Sequence, residues 1–150
     1  MRISTIGALL GLVVALAAGS AARADDIPLP PDVNIVTPDA TVPPVLSRFV
    51  GKYAGKWDTG LGGILVVESV DRTGAAAVVY AWSDFEVYRT KRGWLRTNGK
   101  IVGDRLILDR FTNGASVEYE LRGDGSLRGM YSRGSGAPAG GSFARSATAR

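Results

Sequence analysis

The 150-residue chain contains no cysteine and no histidine. Without cysteine no disulfide can form, so a small domain must be held by its own apolar core or by a partner. The same two absences remove the usual nucleophile–base pairs and the common zinc sites. Carboxylates, lysine, tyrosine and serine remain for catalysis, and they do not assemble into an activated nucleophile. We therefore expect a non-enzymatic protein without a metal or another cofactor.

The first 24 residues differ in character from the rest of the chain. Arg2 precedes an apolar stretch over residues 6–18, and Ala22-Arg23-Ala24 forms a small-x-small site. This layout is typical of a secretory signal peptide over residues 1–24. The stretch is shorter than the roughly 20 residues of a membrane span. We expect cleavage after Ala24, a mature chain without a transmembrane segment, and a periplasmic or secreted location.

Residues 25–47 form an acidic, proline-rich leader that holds four aspartates, no basic residue and most of the seven prolines. Proline lacks an N–H group and restricts the residue before it to extended geometry. An extended, partly disordered leader is therefore expected. The basic side chains are concentrated in residues 48–150, so the leader either lies across this body or leaves it free for anionic partners. Ile35 and Val36 are candidates for docking on the body.

From Ser47 onward, short apolar runs alternate with turn signals and no long helical period is found. The runs lie around Trp57 and over residues 63–70, 75–82, 94–103, 105–111, 115–121, 126–133 and 142–149. Both faces of the run at 75–82 are apolar, so this strand is expected to be covered on two sides. Glu118 and Glu120 match the wet face of a strand rather than a catalytic carboxylate pair. The sequence leaves open which face of its strand Glu68 occupies.

Eight such strands with hairpin-length turns predict antiparallel neighbours in chain order. In about 100 residues they close most economically into an up-and-down β-barrel, which removes both sheet edges. Residues 48–150 are therefore predicted to form an all-β, eight-stranded antiparallel barrel. A two-sheet β-sandwich is the alternative.

The segment Lys52-Tyr53-Ala54-Gly55-Lys56-Trp57 resembles the first lipocalin motif, a basic residue, an aromatic, x, Gly, x, Trp. The resemblance implies that a short helical turn precedes the first strand and that Gly55 allows a close chain approach. It also implies that Trp57 plugs the closed end of the barrel. A late arginine packs on the tryptophan in that family, and Arg145 stands where such an arginine is expected.

The short body is also similar to avidin-like and inhibitor-type barrels of the wider calycin group, and GDGSLRGMY resembles their hairpins. A second resemblance is to secreted bacterial protease inhibitors, which are periplasmic eight-stranded barrels. Their N-terminal arm enters the protease cleft, and this resemblance implies such a role for residues 25–47.

Two groups of side chains are candidates for binding. Tyr80, Trp82, Trp94 and Tyr119 either line an internal cavity for a flat or apolar ligand or belong to the core. Arg89, Lys91, Arg92 and Arg96 surround Trp94 and either hold phosphates, polysaccharide or lipid head groups or form an ordinary solvated surface. Nucleic acid is not expected, since the chain is predicted to be exported.

The sequence thus predicts an exported barrel that binds a small apolar or glycan-like ligand or an envelope component. The alternative is a periplasmic protein-interaction factor of the protease-inhibitor kind. The sequence does not indicate the oligomeric state.

Overall fold

The computed structural model describes residues 26–147, and its strands form a closed barrel in chain order from β1 to β8. The strands are β1 Gly51–Trp57, β2 Gly62–Val70, β3 Ala75–Trp82, β4 Gly93–Val102, β5 Arg105–Leu108, β6 Ser116–Leu121, β7 Leu127–Ser132 and β8 Ala139–Arg145. A single helical turn, α1 (Pro44–Ser47), precedes β1, and a 3-10 turn over Glu86–Tyr88 lies between β3 and β4. The predicted signal peptide lies outside the described residues.

The prediction of an all-β, eight-stranded antiparallel barrel is confirmed. Every neighbouring pair is antiparallel, and β1 also pairs with β8 from Tyr53 opposite Arg145 to Trp57 opposite Gly141. This last ladder closes the sheet, so the barrel has no free edge and the sandwich alternative is wrong. Neither helical turn within residues 26–147 is long and apolar enough to cross a membrane.

The strand boundaries differ from the sequence prediction at the eighth strand. The prediction placed it at 142–149, whereas β8 begins at Ala139 and ends at Arg145. The glycines before Ser142 were assigned to a loop because strands seldom contain them. Gly141 belongs in the strand because it faces the indole of Trp57, where a larger side chain would not fit.

Apolar side chains from every strand fill the barrel interior. The largest group is an aromatic cluster in which the Trp57 ring lies 5.2 Å from Phe143, 6.0 Å from Tyr131 and 6.2 Å from Tyr119, measured between ring centroids. Trp57 is only 4% exposed. Eight-stranded barrels have interiors that side chains can nearly fill, and here the indole supplies much of that volume.

Trp57, which the lipocalin resemblance places as a plug at the closed end of the barrel, lies away from the end where α1 enters. It is the last residue of β1, about 20 Å along the strand from Gly51 at a rise of about 3.3 Å per residue. The α1 end is filled instead by Phe49 and Tyr53, both fully buried, and by Val42.

Gly55 has the role that the resemblance implied. A Cβ atom at this position would collide with the main-chain carbonyl oxygen of Ser142 and lie 2.7 Å from the Cα atom of Phe143. Glycine at position 55 therefore lets β1 and β8 approach closely where they close the barrel.

Arg145 packs on Tyr53 rather than on Trp57, which corrects the predicted stack. Its guanidinium carbon lies 4.8 Å from the Tyr53 ring centroid, a distance at which a cation–π interaction is favourable. The guanidinium also donates to the Tyr53 hydroxyl (2.6 Å), to the carbonyl of Val50 (2.7 Å) and to that of Arg48. Register explains the difference, because Arg145 pairs with Tyr53, four residues before Trp57.

The Tyr53 hydroxyl donates in turn to the carbonyl of Phe49 at 2.9 Å. Burial raises the pKa of this phenol, so it stays protonated and can donate at neutral pH. The cluster ties the last strand to the segment that enters the first one, and thus secures the seam of the barrel at the α1 end.

Residues 26–36 of the leader lie against the outside of the barrel. Ile27, Leu29, Val33 and Ile35 pack over the outward side chains of β2 and β3, which are Ile64, Val66, Val79 and Ala81. We call residues 26–36 the strap. Both faces of β3 are thereby covered, as its sequence predicted, and of the two residues expected to dock only Ile35 does, since the Val36 side chain is exposed.

A glycine pair makes the space for the indole and generates the first prediction. Gly129 and Gly141 lie directly opposite each other on β7 and β8. A Cβ atom at Gly129 would lie 3.0 Å from the Trp57 ring, and one at Gly141 would lie 2.8 Å from it. Gly129→Ala and Gly141→Ala should each lower the free energy of unfolding by about 1–3 kcal/mol through overpacking. Urea denaturation followed by circular dichroism measures this.

Gly123→Ala is the matched control, because nothing lies within 4 Å of a Cβ atom there. Its effect should stay within about 0.5 kcal/mol. The double variant Gly129→Ala/Trp57→Phe should lose less free energy of unfolding than the two single variants lose in sum. The smaller phenyl ring leaves the space that the new methyl group needs. Strict additivity would show that the two residues do not compete for the same space.

Candidate functional site

Of the four aromatic residues predicted to line an internal cavity, Tyr80 and Trp82 are in contact, with 5.9 Å between ring centroids, whereas Trp94 lies apart from them on the outer face. Tyr119 is fully buried against Trp57 and Phe143. Tyr80 packs on Phe111, with 5.1 Å between ring centroids, and burial raises the pKa of both tyrosine hydroxyls. These two side chains are part of the filled interior, which is the core alternative that the sequence left open.

The two tryptophans of that set occupy different places. Trp94 pairs with Ala81, whose side chain points outward beneath the strap, so Trp94 also lies on the outer face and is 41% exposed. Trp82 is half-buried at the mouth of the barrel, and its indole N–H donates to the carbonyl of Lys91 at 2.7 Å. Trp94 therefore cannot share an internal cavity with Tyr80 and Tyr119.

Two cavities open to the outside of the molecule. One of about 500 Å³ lies between residues 36–42 and the β2–β3 turn, and one of about 170 Å³ lies on the outer face of β5, β6 and β7. Neither is lined by Tyr80, Trp82, Trp94 or Tyr119.

The loop between β3 and β4, residues 83–92, is held in shape by its own hydrogen bonds. Phe85 and Thr90 exchange two main-chain bonds of 2.9 and 3.0 Å. Arg89 closes the 3-10 turn with a bond from its N–H to the carbonyl of Glu86 (3.0 Å), and it adopts a left-handed conformation with φ of 51°. A residue with a side chain seldom takes this conformation unless its surroundings impose it.

The base of the loop is also anchored. The Asp84 carboxylate accepts the main-chain N–H of Arg92 at 3.0 Å and lies 3.6 Å from its guanidinium. The hydroxyl of Ser83 accepts the N–H of Gly62 at 3.0 Å, which joins the loop to β2. With the bond from Trp82 to Lys91, these contacts fix the loop on the rim of the barrel.

The tip of this loop exposes apolar side chains. Val87 is 75% exposed and Tyr88 is 67% exposed, while the Phe85 ring lies 5.3 Å from that of Tyr88 and supports it from below. Arg89 and Lys91 are exposed beside the tip. We call Val87, Tyr88, Arg89 and Lys91 the tip patch.

The four basic residues predicted to bind anions divide into two pairs. Arg96 is engaged with two carboxylates, Asp32 of the strap at 3.0 Å and Glu68 of β2 at 3.3 Å. Arg92 contacts Asp84 and also donates to the carbonyl of Asp26 at 3.3 Å. Arg89 and Lys91 form no ion pair within residues 26–147. Of the four basic residues, only these two have exposed side chains that no carboxylate of this part of the chain contacts.

Glu68 occupies the outer face, which settles the alternative that the sequence left open. Its side chain is only 12% exposed because the strap covers it, and it accepts the N–H of Asn34 at 3.0 Å as well as the Arg96 guanidinium. The register between β2 and β3 shifts between Val67 and Ser69, so Glu68 lies in a β-bulge. The acidic character of the leader predicts ion pairs between the leader and the basic body. It does not indicate that Arg96 is the residue that forms them.

Sequence reasoning missed the apolar side chains of the tip patch. The available signal was the sequence DFEVYR, which places Val87 and Tyr88 in a stretch too polar to be a core strand. The sequence prediction includes the neighbouring basic residues as anion-binding candidates and assigns no role to Val87 and Tyr88.

The contact between the strap and β4 should depend on pH. Hydrogen bonds from Arg96 hold the pKa of the Asp32 carboxyl below its usual range in the folded protein. The stabilisation is therefore complete above the unfolded-state pKa of about 3.9 and is lost as the pH falls through the lower folded-state value. We expect strap residues 33–36 to become more mobile in wild-type protein at about pH 3, measured by heteronuclear NOE.

In the Asp32→Asn variant, strap residues 33–36 should already be mobile at pH 6. Their mobility should then change little when the pH is lowered. Asp39→Asn is the control, because the pKa of Asp39 is lowered by hydrogen bonds from Thr41 in its own turn and not by the barrel. Equal mobility of strap residues 33–36 in wild-type and Asp32→Asn protein would show that the Arg96 contact does not hold the strap.

The sequence matches no protein-family model and no curated protein.

Proposed function

We propose that this protein is an exported, non-enzymatic β-barrel that recognises a protein partner through the tip patch of its β3–β4 loop. The observation that carries the proposal is the exposure of Val87 and Tyr88 on a loop whose conformation is fixed by hydrogen bonds at both its turn and its base. Export is supported by the composition of residues 1–24.

The filled interior favours a protein partner over a small ligand. A barrel that carries a ligand needs a cavity of several hundred cubic ångströms lined by apolar side chains and a few polar groups. Here the space around Tyr80 and Tyr119 is occupied by Trp57, Phe111 and Phe143. A ligand such as the small apolar or glycan-like molecule considered from the sequence would have to displace core side chains.

The composition of the tip patch fits a protein-binding hot spot. Tyrosine and arginine are among the residues that contribute most to binding at protein interfaces, usually in the centre of the contact. Because the loop is already ordered, little conformational entropy is lost when it binds. Arg89 and Lys91 favour a partner with carboxylates around an apolar depression, and such charges raise the association rate and the specificity.

An anionic membrane is the second candidate, since exposed tyrosine beside basic residues also suits a lipid interface. The amount of apolar surface argues against it as the main partner. A single myristoyl chain gives only marginal membrane binding, and Val87 with Tyr88 offers less apolar surface than such a chain. Both side chains could, however, be buried completely in a protein pocket.

The test uses a photo-crosslinking amino acid at position 88 of the full chain in the producing cells. Crosslinks from position 88 should yield one predominant protein adduct, identified by mass spectrometry. Val102 provides the matched control, because it is 60% exposed but lies at the end of β4, at the opposite end of the barrel. Position 102 should give no such adduct.

Val87→Asp should reduce the yield of that adduct about tenfold or more, as expected for loss of more than 1 kcal/mol at a hot spot. Crosslinks from position 88 to lipid, together with cosedimentation of the purified protein with anionic vesicles, would favour the membrane instead. A small molecule retained by the wild-type protein in native mass spectrometry would contradict the proposal and restore the ligand-carrier alternative.

A further inference from the structure

The outer face of β2 and β3 is unusually apolar for the outside of a barrel. Ile64, Val66, Val79 and Ala81 point away from the interior, yet all four are almost completely buried under the strap. Antiparallel sheets that face water on one side normally carry polar residues there. This face therefore requires a cover.

The polar groups around this face are arranged to receive an extended chain. The main-chain carbonyl of Glu68 accepts the N–H of Val36 at 2.8 Å, and its carboxylate accepts the N–H of Asn34. Arg96 receives the Asp32 carboxylate through two bonds of 3.0 and 3.2 Å. The bulge matters here because it takes Glu68 out of the regular ladder between β2 and β3.

Most contacts that attach the strap to the barrel involve side chains. Within the described residues, one main-chain hydrogen bond, from Val36 to Glu68, joins it to a strand. The strap is connected to α1 by residues 37–43, which include a turn with a bond from the N–H of Thr41 to the Asp39 carboxylate. No strand pairing includes a strap residue.

We propose that the outer face of β2 and β3 is a binding site for an extended acidic segment of another protein, and that the strap occupies this site in the free molecule. The strap defines the chemistry of the segment. A segment that replaces the strap needs apolar side chains at alternate positions. It also needs a carboxylate at the position that Asp32 occupies in the strap. Main-chain N–H groups are used by the barrel only at Asn34 and Val36, so a segment with prolines at other positions fits.

This site is separate from the tip patch. Its cation is Arg96 and its acceptor is Glu68. The strap also meets the β3–β4 loop through the bond from Arg92 to the Asp26 carbonyl, but Arg92 does not belong to the tip patch. A partner that binds here must displace the strap, which competes at the high effective concentration of a tethered segment, on the order of millimolar. In a variant whose own strap is weakened, the measured affinity for an added peptide is therefore closer to the affinity of the site without competition.

The test measures binding of a fluorescent peptide with the sequence of residues 25–37 to the full mature chain by anisotropy. The host protein carries Val33→Asp and Ile35→Asp, which weaken its own strap. Binding should be saturable, and a scrambled peptide should not bind. Adding Arg96→Glu to the host should weaken binding at least tenfold, and a peptide with Asp32→Arg should recover much of that loss.

Arg122→Glu is the control, since it makes the same charge change in the β6–β7 turn and should leave the affinity unchanged. Circular dichroism checks that each host is folded. If the weakened host does not fold, the wild-type chain is titrated with the peptide to several times the millimolar effective concentration, and the Glu68 and Arg96 amide resonances should shift.

Absence of saturable binding in both experiments would overturn the proposal, as would binding that is indifferent to Arg96→Glu. Concentration-dependent self-association of the wild-type protein that Arg96→Glu abolishes would contradict the proposed partner, because the occupant would then be the strap of a second copy.

Discussion

The barrel depends on the contact between the Trp57 indole and the small residues of the last two strands. The indole packs with the rings of Phe143, Tyr119 and Tyr131 in one half of the interior. It fits there because Gly129 and Gly141 have no side chains that would meet it. Gly55 brings β8 close to β1 in the same region. A large ring and three glycines thus form one packing unit, in which the volume of one part sets the shape of the others. Closure of the sheet follows from this fit.

The other half of the interior is organised by polar contacts at its rim. The guanidinium of Arg145 donates a hydrogen bond to the Tyr53 hydroxyl. It also donates to a main-chain carbonyl in the segment between α1 and β1, which lies outside the strand ladders and needs a partner when buried. Chain entry and the last strand are therefore fixed together. Both halves of the interior thus hold buried side chains, while the tip patch and the strap-covered face lie on the outside of the barrel.

The repeated turn chemistry and alternating apolar residues were sufficient to predict the strand count, the antiparallel order and the closed barrel. Individual roles were harder to predict. Arg145 was expected on Trp57, but the register of β1 and β8 places it on Tyr53. Trp94 was grouped with Tyr80 and Tyr119, although the alternation of β4 puts it on the opposite face. The first error concerns register and the second concerns which face of β4 is turned inward, and both depend on contacts between distant parts of the chain.

The sequence by itself determined the fold class, because hydrophobic alternation and turn residues act locally and each strand carries its own pattern. It also determined that residues 25–47 are acidic and rich in proline. Only the tertiary structure decided that this leader covers β2 and β3, that Arg96 is engaged with Asp32 and Glu68, and that Val87 and Tyr88 remain uncovered. The physical reason is that burial and ion pairing at these positions involve residues about 28 to 64 positions apart in the chain, and no local pattern encodes which of many similar side chains will meet.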